Sequence, residues 1–146
     1  MGRIMGLDYG SKTVGVALSD ALKVIVSPYE TIFREKEGKL RPTLRRLLEI
    51  CQDEDVERIV LGLPLNMDGT EGERAERTRS FMELLRHRLD ENGMDIDIML
   101  WDERLSTEEA LEVLRRSDIA PCEQKSFVDK VAAAIILEDF MRNGEK

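Results

Sequence analysis

Two short β-prone runs, residues 4–8 and 13–19, are separated only by Tyr9-Gly10-Ser11-Lys12. Four residues suffice for a hairpin turn but not for a helical crossover, so the runs predict antiparallel neighbours and exclude a βαβ start. A third run, residues 24–33, follows closely and is interrupted by Pro28. Proline cannot donate to a ladder, so this run predicts a bend or an edge position. Three strands linked this tightly predict an antiparallel meander.

The period then changes. Leu40, Leu44, Leu47, Leu48 and Cys51 fall on one stripe of a helix otherwise rich in Arg and Glu. Residues 59–63 are apolar without a break, the pattern of a strand covered on both faces. Residues 64–72 carry the Asn, Asp, Gly and Pro of a loop. A charged helix over 73–89 follows, with Phe81, Met82, Leu85 and Leu89 inward, and residues 96–101 read as a further strand. Ser106 and Glu109 have capping-box spacing, and Leu105 with Ala110 makes a weak hydrophobic staple. Pro121 precedes a last helix over 123–142. The order β-β-β-α-β-α-β-α-α predicts an α/β fold, a mixed five-stranded sheet with helices on its faces. Without repeats or a long linker, residues 1–146 read as a single domain.

Charge narrows the partners. The formal net charge of −8 excludes a protein coated in basic surface, so any nucleic-acid contact needs a local patch. The longest apolar run, residues 131–137, is far short of the ~20 residues that span a bilayer. The N-terminus reaches Asp8 after a few apolar residues, which is no secretory signal, and Cys51 and Cys122 lack metal-ligand spacing. Both cysteines read as buried reduced thiols, and the expected location is the cytoplasm. His87 reads as exposed and Trp101 as core. Arg74, Arg77, Arg79, Arg86 and Arg88 could form an RNA-facing strip, but interleaved Glu73, Glu76 and Glu83 favour a helix surface of i,i+4 ion pairs.

Three acids stand where stability alone does not require them. Asp8 closes an apolar strand, Glu103 follows the strand over 96–101, and Asp129 lies near the start of the most apolar helix. Each has an ordinary alternative: a turn-capping Asp, an exposed acid before a helix, and a first-turn acid favoured by the helix dipole. Taken together, strand ends and the start of a buried helix can converge at one edge of a mixed sheet, where α/β folds bind ligands. Three carboxylates there repel one another unless a cation neutralises them, and an oxygen-only set without His or Cys suits Mg²⁺ or Mn²⁺. Such ions activate water and stabilise the leaving oxygen of a phosphodiester.

The wording of the motifs adds a resemblance. The stretch from Gly6-Leu7-Asp8-Tyr9-Gly10 to Val14-Gly15-Val16-Ala17 resembles the first hairpin of the RNase H-like fold, most closely that of the YqgF family, also called RuvX. Leu61-Gly62-Leu63-Pro64-Leu65-Asn66-Met67-Asp68-Gly69-Thr70, Asp102-Glu103-Arg104-Leu105-Ser106-Thr107 and Asp129-Lys130-Val131-Ala132-Ala133 are similar to three further signatures of that family, in order.

The resemblance implies strand order 3-2-1-4-5 with strand 2 antiparallel. It also implies a metal-dependent nuclease whose acidic triad is Asp8, Glu103 and Asp129, with Lys12, Asn66 and Arg104 toward substrate. RNase H relatives often carry a carboxylate on the fourth strand; residues 59–63 have none, so Glu103 must reach in from the fifth, with Asp68 or Glu71 as the nearest substitutes. The implied task is maturation of the precursor of 16S ribosomal RNA, with the pre-ribosomal particle as a partner and a monomer or weak dimer as the working form. Cleavage of four-way DNA junctions is the alternative within the fold. Two non-nuclease readings are a phosphate-binding domain like those of sugar kinases, which needs a second such domain, and a ribosome-assembly adaptor with an idle site.

Overall fold

A computed structural model describes residues 2–103 and 129–143 in full and the backbone of 121–128. The capping pattern of Ser106 and Glu109, the Leu105–Ala110 staple, Arg104 and the side chain of Cys122 lie outside the described residues. The elements run β1 (Arg3–Tyr9), β2 (Thr13–Ser19), β3 (Val26–Phe33), α1 (Arg41–Asp53), β4 (Val56–Leu63), α2 (Glu73–Glu91), β5 (Asp97–Asp102) and α3 (Pro121–Asn143). They form one five-stranded sheet in the order β3-β2-β1-β4-β5. β2 is antiparallel to both β1 and β3, whereas β4 is parallel to β1 and β5.

The predicted meander, its short turn and the strand order all hold. β3 is the edge strand that Pro28 implied, with a register shift between Val16 and Ala17 of its neighbour. It begins two residues later than its β-prone run, because Val24 and Ile25 are exposed and their N–H groups donate instead to the Asp20 carboxylate at 2.8 and 3.0 Å. Pro42 lies in the first turn of α1, where a missing N–H has no intrahelical partner to lose.

Alternation along the strands divides the core in two. Met5, Leu7 and Tyr9 of β1, Val14, Val16 and Leu18 of β2, and Ile59 and Leu61 of β4 pack toward α1 and α2. Ile4, Ala17 and Val60 point the other way and meet Ala133, Ala134, Ile136, Leu137 and Phe140 of α3. This second face is lined with small residues. A Cβ on Gly6 would stand 2.8 Å from the Ala133 carbonyl oxygen and from the Leu137 Cβ, and one on Gly15 only 1.9 Å from the Asp129 carbonyl oxygen. Helix α3 therefore lies against the sheet backbone itself, which its run of alanines permits from the helix side. Trp101, expected in the core, is half-buried at the edge of this layer. Its indole N–H donates to Asp139 at 2.7 Å, and its ring meets Phe140 edge-on at 5.6 Å.

Gly15→Ala should push α3 off the sheet and cost about 3 kcal/mol, in the range of overpacked cores. Gly38→Ala, with nothing within 4 Å of its new methyl group, should stay within about 0.5 kcal/mol of the parent. Denaturant unfolding of both variants checks this; equal stability would mean that α3 yields freely.

Candidate active site

Asp8 is the penultimate residue of β1, and alternation turns it to the α3 face, away from Leu7 and Tyr9. Its cross-strand partner is Gly15, so no side chain from β2 fills the space beside its carboxylate. That gap is where the backbone of Asp129 comes down. Glu103 stands one residue past β5 and donates its N–H to the Leu63 carbonyl at 3.3 Å, which ties it to the end of β4. Its carboxylate lies over Gly62, with Oε2 2.4 Å from where a Cβ would stand. Gly15 and Gly62, on the two strands beside β1, thus leave space for the backbone of Asp129 and the carboxylate of Glu103, and Asp8, Glu103 and Asp129 are each half-buried.

The electrostatics are those of crowded acids. Burial, joined by the charge and hydrogen bond of Asp8 and the charge of Asp102, pushes the Glu103 carboxyl up to about 9. Burial also raises Asp8, to about 6; the hydrogen bond to Glu103 opposes this, the Asp129 charge adds to it, and Arg74 opposes it. The pair therefore retains a shared proton at neutral pH. Asp129 is half-buried with its Oδ2 shielded from solvent.

The donor set is the hard, oxygen-only kind that suits Mg²⁺ or Mn²⁺. Among the described residues, however, no group of three such side chains is closed to ligating distance. Asp8 and Glu103 instead bond to each other, a contact that persists only while one is protonated and that a divalent cation would replace.

The remaining candidates divide. Lys12 is exposed at the hairpin tip, and its carbonyl accepts the Arg34 N–H at 2.8 Å. Asn66 closes the loop after β4: its N–H donates to the Thr70 carbonyl at 2.8 Å and its side-chain amide to the Thr70 hydroxyl at 2.9 Å. Asp68 accepts the Thr70 N–H and hydroxyl within the same turn, and Glu71 accepts two bonds from Arg79, at 2.6 and 2.7 Å. His87 is exposed, as expected.

Sequence reasoning missed a second layer on the opposite face of the same edge. Tyr9 stacks on Phe81 at 4.4 Å, and the guanidinium of Arg34 lies 4.7 Å over the Tyr9 ring, with that of Arg74 at 5.7 Å. Glu37 accepts from Arg74 at 2.7 Å and also pairs with Arg77. Burial pushes the Glu37 carboxyl up, and the two arginines outweigh it, leaving it below the ordinary carboxylate value. Of the helix arginines, Arg77 with Glu73 and Arg86 with Asp90 form i,i+4 pairs, but Arg74 spends its charge across the fold.

Residues 2–143 match the family model RuvX, described as Holliday junction resolvase. The chain is 44% identical over 144 residues to a protein of Lachnospira eligens named "Putative pre-16S rRNA nuclease", a match covering 99% of each. It is 42% identical over 140 residues to a protein of Bacillus thuringiensis with the same name, covering 95% of this chain and 97% of the relative. In fold it is similar to Thermus thermophilus RuvC, solved in complex with a Holliday junction substrate, at TM-score 0.57 and 14% identity over 99% of this chain and 97% of that one. It is also similar to the yeast mitochondrial Holliday junction resolvase Ydc2, at TM-score 0.56 and 12% identity over 97% of this chain and 78% of that one. At such identities the two structures speak to the fold alone, whereas sequence matches running almost end to end in both chains mean that this protein belongs to the RuvX family.

Proposed function

We propose that this protein is a divalent-metal-dependent nuclease that hydrolyses phosphodiester bonds in structured nucleic acid, with the precursor of 16S rRNA as its substrate. The observation that carries this reading is the pair of carboxyls from β1 and the end of β5, forced together with raised pKa values at the carboxyl edge of the sheet. A stable fold gains nothing from desolvating two like charges side by side, so the arrangement serves a ligand that neutralises them. The names of the full-length relatives supply the RNA substrate.

Asp8, Glu103 and Asp129 would hold Mg²⁺ or Mn²⁺. A cation bound there would polarise a phosphoryl oxygen and acidify the attacking water. The Asp8–Glu103 pair would release its shared proton to solvent on loading, so that both carboxylates could join Asp129 in holding the cation. Gly62 leaves room for the Glu103 carboxylate over the sheet, and α3 carries Asp129 against the β1–β2 hairpin. Lys12 at the hairpin tip and Arg104 beside Glu103 contact backbone phosphates, and Asn66 shapes the loop that borders the site. The working form is a single RNase H-like domain in the cytoplasm, monomer or weak dimer, guided by the pre-ribosomal particle because a −8 chain binds RNA weakly on its own. Among the described residues no helix is long and apolar enough to cross a membrane.

A second reading, cleavage of four-way DNA junctions, is favoured by the family's description. Labelled precursor rRNA and a DNA junction, each incubated with Mn²⁺ or EDTA, separate the two. Metal-dependent RNA cleavage is expected, with Asp8→Asn, Glu103→Gln and Asp129→Asn each reducing it by at least ~100-fold while remaining folded. Symmetric junction cutting in preference to RNA would replace the first reading by the second. No cutting of either by folded protein would favour a non-catalytic adaptor.

The site also sets a pH dependence. Asp8 and Glu103 have folded-state pKa values above their unfolded ones, so between about pH 4 and 9 the folded chain binds more protons than the unfolded. Stability of the metal-free protein therefore falls as pH rises through that window. At pH 8 in EDTA, Glu103→Gln should raise Tm by on the order of 5 °C. Mn²⁺ should stabilise the parent more at pH 8 than at pH 6, and Glu103→Gln at neither. Calorimetry checks both; a parent that is insensitive to Mn²⁺ at pH 8 would rule out a metal at these acids.

A further inference from the structure

A −8 chain that acts on a polyanion needs a local cationic site, and the structure holds one that a carboxylate of the same chain already fills. The two oxygens of Glu37 engage two different arginines at the start of α2: Oε2 accepts from Arg74 at 2.7 Å and Oε1 accepts from Arg77. An anion with two oxygens spread across two guanidiniums has the geometry of a phosphodiester, whose two non-bridging oxygens suit the same fork. We propose that Arg74 and Arg77 form a binding fork for a backbone phosphate of the nucleic-acid strand, and that Glu37 occupies this fork until the strand displaces it. The inference rests on the nuclease reading and deepens it by adding a phosphate subsite and its resident competitor.

Three observations support the fork as a ligand site in addition to its role as an ion pair. Its position is one: β1 and β3 both end at this edge and α2 begins there, and the charge of Arg74 acts on both Asp8 and Glu103. A strand with one phosphate at the acids can lay a neighbouring one on Arg74.

The second is unused donor capacity. Arg74 Nη2 is buried and has no hydrogen-bond partner among the described residues, so Glu37 leaves part of this guanidinium unsatisfied. Arg34, 8% exposed and fixed over Tyr9, likewise keeps its Nη1 without a partner while its Nη2 donates to the Gly10 carbonyl and its Nε to the Glu37 carbonyl at 3.2 Å. Among the described residues the ion pairs of Arg74 and Arg77 go to Glu37 and Glu73, while Arg34 reaches Glu37 through its backbone carbonyl and not its carboxylate.

The third is the freedom of the occupant. Glu37 sits in the connection between β3 and α1, where Glu35, Lys36, Gly38 and Lys39 are exposed, so its side chain can leave without opening the core. Arg34 pins the base of this connection to the β1–β2 hairpin, which keeps Glu37 close as a competitor.

The test is binding without cleavage. Fluorescence anisotropy in EDTA, across a salt series, would measure a labelled single-stranded RNA and a DNA of the same sequence against the full-length protein. Glu37→Gln and Glu37→Ala should each tighten binding of both probes ~10-fold at low salt and steepen the salt slope by about one phosphate contact. Adding Arg77→Gln to Glu37→Gln should remove the gain. Glu35→Gln removes the same charge from the same connection without touching the fork, so it should change affinity less than about twofold.

A Glu37→Gln effect no larger than that of Glu35→Gln, or weaker binding in both Glu37 variants with an unchanged Tm, would overturn the fork. Cleavage of RNA by the parent with Mn²⁺, together with no gain in the Glu37 variants, would remove the fork and leave the nuclease standing. Neither binding nor cleavage by any variant would overturn both.

Discussion

The closeness of α3 to the sheet is the constraint on which the site depends. A helix can touch strand backbone only where side chains are missing on both surfaces, and β1, β2 and β4 supply Gly6, Gly15 and Gly62 on the same face that Ala133 and its neighbours cover from above. Gly15 and Gly62 flank Asp8 on its two neighbouring strands. One of these gaps admits the backbone of Asp129 and the other the carboxylate of Glu103. A methyl group at either position would separate acids that now lie together.

That proximity runs against the ordinary economy of folding. Two partly buried carboxyls hold a proton between them because burial penalises both charged forms and the neighbouring Asp8 charge further favours the protonated Glu103. Arg74 moderates both without neutralising either, since its own hydrogen bond goes to Glu37 on the opposite face. The carboxyl edge is thus polarised through its thickness, with acids beneath α3 and arginines above Tyr9.

Much of the fold was legible in the residues. The tight spacing of the first two strands required an antiparallel pair, Pro28 suggested a bend or an edge, and the unbroken apolar run 59–63 had the pattern of a strand covered on both faces. The acids were legible as misfits, since Asp8 follows the apolar residues of β1 and Glu103 stands just past the end of β5. The arginine layer was not. Arg34 is a charged residue just past an exposed edge strand, and nothing in its neighbourhood marks it as buried. Arg74 and Arg77 are spaced like the other helix arginines, and their pairing with Glu37, some forty residues away in the chain, arises only when the β3–α1 connection reaches the start of α2. Asn66, Asp68 and Glu71 make bonds within their own loop or to Arg79 that their spacing in the sequence did not reveal.

The sequence by itself determined the order of elements, the alternation that sends Asp8 to one face and Tyr9 to the other, and the oxygen-only character of the acids, because these follow from local period and side-chain chemistry. Only the tertiary structure decided which charges became neighbours. Proximity between distant residues is set by strand register and by how near a helix can approach a sheet, and a chain read in one dimension does not carry those distances.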